Sequence, residues 1–445
     1  IMLNQSFSAE NFRRILDLEN RKGLYLEGRF FPNITEITKK IKKCTKEIKD
    51  KQKNGIGLDN EIEELYKRKK ELKEEKNEKL NTELQKVSEK VVASDFKIQL
   101  EKKDFQNAKA LYVTKDSPEN YFTMKQVQRN ISRLFDVKQS NRNEIVSQVK
   151  NLLKDGFPKY VLKTDIDNFY ESIHQKILLN KINDDNLLTP FSKKILRNII
   201  KQYTQLSGSN NGVPRGIGVS AYLAELFMRD VDNKIKSMGE ISYYARYVDD
   251  IIIIFTPKTN AHHVDYLKEI KKIIEDKFCL KLNDQKTDTF DLLDPSQSSS
   301  YTMEYLGYKI TFGTGEIKTE LSQKKYDKYK QRIYLIFNDY SNLSKFDEKK
   351  AKKLLVKRVR FLTGNTRLKN NKKNILVGVY YSNRQLTERE YLTRLDDCLR
   401  TKINSSIIST KLKEKLEKYN FIDGFKTKRF SPFKTNEIQE IVKIW

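Results

Sequence analysis

Three cysteines, Cys44, Cys279 and Cys398, are all that 445 residues contain. They lie far apart and form no Cys-x-x-Cys pair, which excludes a disulfide framework and a cysteine-based zinc site. Histidine is as scarce, with His174, His262 and His263. None has a Cys or His partner at zinc-like spacing, so they read as surface or packing residues. No apolar run approaches the ~20 residues that a membrane-spanning helix needs, and the N-terminal residues carry no signal-peptide pattern. A reducing, cytoplasmic setting with no membrane contact is the expectation.

Positive charge and aromatic rings are abundant. Lys and Arg number 87 against 60 Asp and Glu, a formal net charge of +27, with 23 Tyr and 23 Phe. An excess of this size points to a polyanionic partner, nucleic acid above all. Basic and aromatic side chains together suit phosphate contact and base stacking. The length allows two or three domains with cores of their own.

Along the chain the pattern changes several times. Residues 34–92 are rich in Lys, Glu, Leu and Ile at helical period, broken at Asn54-Gly55-Ile56-Gly57; two long helices joined by a turn are expected, a charged arm. Ala110-Leu111-Tyr112-Val113 and Tyr121-Phe122-Thr123-Met124, separated by a turn-rich stretch, read as a hairpin over 110–124. A strand is expected at 160–166, helices at about 168 onward, 190–206 and 220–238, a glycine-rich loop at 208–218, a helix at 260–278 and strands around 301–318. From Gln323 onward the pattern is mostly helical and strongly basic. Strands interleaved with long helices argue for an α+β fold with a mixed sheet.

The most informative segment is Tyr247-Val248-Asp249-Asp250, set between Ile241-Ser242-Tyr243-Tyr244-Ala245-Arg246 and Ile251-Ile252-Ile253-Ile254-Phe255. Two apolar, β-rich segments around a short acidic tip read as a buried hairpin. Adjacent carboxylates at such a tip are costly unless a cation sits there. Asp165 ends another apolar strand. Taken alone it reads as a helix N-cap before Asn168; with a second acidic strand end it reads as a metal ligand. Carboxylates from two strand ends can hold a pair of divalent ions, and Mg²⁺ suits carboxylates plus substrate phosphates, with Mn²⁺ as a substitute.

These segments resemble the ordered motifs of reverse transcriptases. Asp165-Ile166-Asp167-Asn168-Phe169-Tyr170-Glu171-Ser172-Ile173 resembles motif A. Gly212-Val213-Pro214-Arg215-Gly216-Ile217-Gly218-Val219-Ser220 resembles motif B, and 247–250 resembles motif C. Leu282-Asn283-Asp284-Gln285-Lys286-Thr287 resembles motif D, and Tyr305-Leu306-Gly307-Tyr308 motif E, the primer grip. Together they span about 160–310. The resemblance implies a right-hand polymerase: an N-terminal segment and helical hairpin at 1–95, fingers at 96–158, a palm at 159–315 with part of the fingers at about 175–215, and a basic helical thumb or C-terminal domain at 316–445.

It also implies roles. Asp165, Asp249 and Asp250 would be catalytic metal ligands, with the Ile166 carbonyl nearby. Lys286 would sit by the incoming phosphates and protonate the departing pyrophosphate. Tyr170 would be the steric gate against a ribose 2′-hydroxyl. Gly216 would let backbone approach the nucleotide. Arg215 stands where related enzymes carry Gln; its planar fork would meet the triphosphate. Asn141-Arg142-Asn143 resembles a fingers motif, with Arg142 a nucleotide contact or a stabiliser of the fingers. Lys115 or Lys125 would reach phosphate from the hairpin tip. Tyr305, Gly307, Arg358, Arg360, Asn365, Arg367 and Lys372 would contact primer or RNA.

Motif B together with this basic tail is similar to the bacterial defence-associated reverse transcriptases of the unknown-group and abortive-infection branch. Gln5-Ser6-Phe7-Ser8-Ala9-Glu10-Asn11-Phe12 is most similar to the first subunit of a type 3 defence system. That resemblance implies antiphage immunity, deoxynucleotides added on an RNA template to give DNA, a structured non-coding RNA, a second reverse transcriptase as partner, and an oligomer. Template-independent or protein-primed synthesis, an RNA-directed RNA polymerase, and a catalytically silent RNA-binding scaffold stand as alternatives.

Overall fold

The computed structural model describes residues 3–54, 59–105, 108–137, 140–258, 264–294, 299–313, 315–368 and 375–445. Gly55, Gly57, His262, His263 and the run 369–374, with Lys372, lie outside the described residues. The architecture is α+β, in two compact units. Among the described residues no helix is long and apolar enough to cross a membrane.

The first unit comprises Ile1–Lys138, Asp167–Lys234 and Ile273–Lys281. Its helices include Ala9–Arg21, Pro32–Asn54, Asp59–Val92, Pro118–Leu134 and Pro190–Ser207. Phe12 and Phe122 are fully buried and stack with centroids 5.4 Å apart, which joins the first of these helices to the fourth. Strands β1 (Leu100–Phe105) and β2 (Ala108–Thr114) form an antiparallel hairpin. This corrects the expected hairpin over 110–124. The partner of β2 lies upstream, and Tyr121–Met124 is helical. The reason is local: Ser117 caps the backbone N–H of Asn120, and Pro118 occupies the first turn, so 117–120 starts a helix rather than a turn.

The second unit comprises Gln139–Ile166, Ile235–Lys272 and Leu282–Trp445. Its main sheet holds β3 (Lys159–Asp165), β4 (Ile241–Tyr247), β5 (Asp250–Phe255) and β6 (Asp288–Leu292), in the order β4-β5-β3-β6. Four isoleucines and a phenylalanine make β5 a β-branched run buried on both faces. Every pairing in this sheet is antiparallel, not mixed as expected. The chain leaves β3 and returns in the parallel sense as β4, but the tight turn at 248–249 folds β5 back between them. Strands β7 (Tyr301–Tyr305), β8 (Tyr308–Phe312) and β9 (Lys318–Leu321) form a second sheet, and β10 (Asn365–Leu368) pairs with β11 (Ile375–Gly378).

One core joins these sheets to the C-terminal helices. Val161, Ile252, Ile254 and Phe290 from the main sheet pack with Met303, Tyr305 and Tyr308, and with Ile333, Leu355 and Leu395 from the helices Gln323–Leu343, Glu348–Thr363 and Glu390–Ser405. This burial makes the main sheet rigid, so side chains at its strand ends are held in fixed positions.

Candidate catalytic site

Strand register places the acidic residues. Opposite residues of an antiparallel pair share a face. Tyr247 pairs with Asp250, and Asp250 with Asp165, so the three form one row across β4, β5 and β3. Behind them a second row runs Ala245, Ile252, Lys163 and Asp288. Asp249 occupies the two-residue turn rather than the end of a strand, and its carbonyl accepts the Ile166 N–H at 3.2 Å. Val248 beside it has φ 62, a left-handed conformation rare for a β-branched residue. Such strain persists only where the surroundings impose it. The buried Arg246 contributes by donating to the Val248 carbonyl at 2.9 Å.

Asp165, Asp249 and Asp250 offer carboxylate oxygens that all lie within 4.8 Å of one another. Burial, then repulsion from Asp249 and Asp165, pushes Asp250 up to about 6. Hard oxygen donors crowded at this distance suit a hard divalent cation, which would relieve that repulsion. The residues present therefore fit a divalent metal.

Two lysines offset part of the negative charge. Lys286 follows a short turn of 3₁₀ helix, Asp284–Lys286, and donates to Asp165 Oδ2 at 2.7 Å. That hydrogen bond, aided by the three carboxylates, raises its ammonium above the usual lysine range, and the side chain stays well exposed. The segment is fixed by Asn283 N–H on the Asp165 carbonyl at 2.8 Å and by Thr164 and Thr287 hydroxyls 2.7 Å apart. Lys163, which sequence reasoning passed over, is buried and ion-paired to Asp288 at 2.9 Å. Its signal was available: two positions before Asp165 on a strand, it shares that residue's face.

The motif E segment is a hairpin turn. Leu306 and Gly307 have φ 48 and 75, as a tight turn closing the Tyr305–Tyr308 pair requires. Tyr305 is buried, its hydroxyl has no hydrogen-bond partner among the described residues, and burial followed by the Asp250 charge raises its ionisation far above the usual phenol range. Arg142 donates to the Leu306 carbonyl through Nε at 2.6 Å and to the Ser382 carbonyl at 3.2 Å, with its guanidinium 4.8 Å from the Tyr308 ring. It ties the helix Arg142–Lys154 to motif E.

In the first unit, Tyr170 lies in the one-turn helix Phe169–Ser172. Arg215 does not present an open fork: Nε and Nη2 each meet a Glu171 carboxylate oxygen at 3.0 Å. Gly216 has φ 106, and a Cβ there would sit 2.7 Å from the Tyr112 carbonyl. Lys115 is exposed, whereas Lys125 is paired with Glu19 at 3.2 Å.

Two candidates for nucleic-acid contact prove structural. Arg358 is 3% exposed, bound to Asp339 and to the carbonyls of Ile441 and Glu440. Asn365 is 1% exposed; its amide donates to Gly424 and Arg429 carbonyls and accepts from Tyr380 and Tyr381. Their polarity serves the interior of the C-terminal helices. Arg367 is exposed and Arg360 half-buried.

Residues 119–310 match the family model described as reverse transcriptase (RNA-dependent DNA polymerase). No curated protein matches the chain significantly. Among solved structures, apo telomerase from Candida tropicalis is similar at 14% identity and TM-score 0.36, over 72% of this chain and 68% of that one. Telomerase from Candida albicans in complex with a TWJ fragment of telomeric RNA is similar at 13% identity and TM-score 0.33, over 74% and 59%. A truncated apo telomerase from Candida tropicalis is similar at 17% identity and TM-score 0.33, over 52% and 56%. The chain thus spans 59% and 56% of the length of the latter two. These likenesses are too distant to bear on function. Residues 119–310 thus match a reverse transcriptase domain, and the α+β architecture fits the right-hand polymerase fold.

Proposed function

We propose that the chain extends a nucleic-acid 3′-hydroxyl with deoxynucleotides on an RNA template, releasing pyrophosphate. The observation that carries this reading is the Asp165, Asp249 and Asp250 cluster at the rigid end of the main sheet, with Lys286 against it. Asp165 and Asp249 are the residues that would hold two Mg²⁺ ions, or Mn²⁺ in their place, with the Ile166 carbonyl nearby and Asp250 completing the set. When bound, the ions supply activation of the attacking hydroxyl and neutralisation of phosphate charge.

The chain's own residues do the rest. Lys286 is protonated at neutral pH like an ordinary lysine; the hydrogen bond to Asp165 and the carboxylate charges hold that proton more tightly, and its exposed side chain donates to the departing pyrophosphate oxygen. The Tyr170 ring excludes a ribose 2′-hydroxyl. Exposed Lys115 serves the nucleotide, and the Leu306–Gly307 turn supports the primer. Arg360 and Arg367 extend contact to the nucleic acid.

We place this activity in cytoplasmic antiphage defence, with a structured non-coding RNA as template and a second reverse transcriptase as partner in an oligomer. What supports it is the similarity of motif B, the basic tail and residues 5–12 to that branch. The test is metal-dependent incorporation of labelled deoxynucleotides, together with sequencing of co-purifying RNA and DNA. Converting Asp249 and Asp250 to Asn is expected to abolish incorporation while the protein still melts cooperatively. Full activity in that variant would sink the assignment.

A further inference from the structure

Arg215 departs from the motif B pattern, and its surroundings give it another task. Its guanidinium grips both oxygens of Glu171, Nε to Oε1 and Nη2 to Oε2, each at 3.0 Å. A two-point arginine–carboxylate contact fixes orientation as well as distance. The same guanidinium lies 5.6 Å from the ring centroid of Tyr170, the residue next to Glu171. Phe169, buried, meets that ring with centroids 5.3 Å apart.

The helix that carries Tyr170 needs such support. Phe169–Ser172 is one turn long, entered through Asn168 at φ 50 in the left-handed region. A single turn has no stability of its own. It is held by Val213 N–H on the Tyr170 carbonyl at 2.8 Å and by the Glu171–Arg215 pair. Lys109 adds a second cation on Glu171 at 3.4 Å and also donates to Asn168. Arg215 is fixed in turn: its carbonyl accepts Tyr112 N–H at 2.6 Å, and Gly216 packs against the Tyr112 carbonyl. The clasp therefore joins the motif A turn, the motif B loop and strand β2.

We propose that Glu171 and Arg215 are positioning residues for the Tyr170 ring, and that their ion pair sets selection of deoxyribose over ribose. This rests on the reading of Tyr170 as the sugar gate. A third of each side chain is exposed, so the pair adds little to stability. Its effect lies in the angle and depth of the ring.

The test compares kcat/KM for one dNTP and the matching NTP in the wild type and in Tyr170→Ala, Arg215→Gln, Glu171→Gln, Arg215→Lys and the swap Glu171→Arg with Arg215→Glu. Arg215→Gln and Glu171→Gln are each expected to lower the dNTP preference about tenfold, the size of coupling between touching side chains. The loss should come from a rise on the ribonucleotide side, which general damage to the fold would not produce. The swap should restore most of the preference. Arg215→Lys keeps the charge but not the two-point contact, and should fall between. If Tyr170→Ala loosens selection while Arg215→Gln and Glu171→Gln lower both rates in parallel, the clasp is only a staple and the proposal is overturned. If Tyr170→Ala leaves selection unchanged, the gate reading itself fails and takes the proposal with it. A wild type that incorporates neither nucleotide refutes the polymerase reading.

Discussion

Asp250 costs the metal-free protein stability at neutral pH. Its carboxyl is held at about 6, against 3.8 for an unperturbed Asp. The folded protein thus binds this proton more tightly than the unfolded chain does. The stability it contributes is complete below about pH 4 and is lost as pH rises through about 6. At neutral pH the metal-free protein carries the repulsion that Asp249 and Asp165 exert on Asp250. Asp250→Asn is expected to stabilise the metal-free protein at pH 7 by about 1–3 kcal/mol, and the gain should vanish near pH 4. Thermal melts with and without chelator check this; an equal gain at both pH values would show that the charge is not the cause. Arg358 makes the opposite case. It is a buried arginine paired with Asp339, so Arg358→Ala is expected to cost about 3 kcal/mol in denaturant unfolding. Nucleic-acid affinity of the folded protein should be unchanged. Normal stability with lost binding would return Arg358 to the nucleic-acid surface.

Elements are legible in the sequence where apolar pattern and chain chemistry agree. The run Ile251–Ile254 with Phe255 announces β5, and its acidic tip announces the site, because few residue orders put carboxylates beside so buried a strand. Strand β6 is not legible. Asp-Thr-Phe-Asp-Leu offers one buried side chain, Phe290, and becomes a strand only because β3 supplies a partner edge. Strand β10 is likewise made by pairing with β11. The segment 110–124 misleads because Tyr121–Met124 is as apolar as a strand, while Ser117-Pro118 carries the helix-start signal. Burial of Arg358 and Asn365 is hidden because a polar residue in a basic tail looks the same whether it faces solvent or caps a core. Gly216 reads in the sequence as a backbone approach to the nucleotide; its observed neighbour is the Tyr112 carbonyl. With φ 106 and that carbonyl 2.7 Å from where an added methyl would stand, Gly216→Ala is expected to destabilise by about 2 kcal/mol or more. A melting temperature equal to the wild type would show that the motif B loop can move away from β2.

At the scale of the whole molecule, charge decides behaviour in solution. The excess of 27 positive charges is not spread evenly. Residues 316–445 hold 32 Lys and Arg against 15 Asp and Glu, so 32 − 15 = 17 of the net charge falls in that part. Pairs inside this part, such as Arg358 with Asp339 or Lys357 with Glu437, leave that net excess unchanged. Exposed cations such as Arg367 remain, and the helix Glu348–Thr363 carries seven Lys and Arg against one Glu. A surface of this kind holds nucleic acid mainly by releasing counterions from phosphates. Affinity for an RNA–DNA duplex is therefore expected to fall roughly a thousandfold between about 50 mM and about 200 mM salt, as for proteins making six or more phosphate contacts. The sequence of the duplex should matter little, since phosphates carry no sequence information. Removing Arg367 should lower the slope of log affinity against log salt by about one contact without changing base preference. Binding that is insensitive to salt would mean that the basic C-terminal part does not face the nucleic acid, and its charge would then need an acidic protein partner.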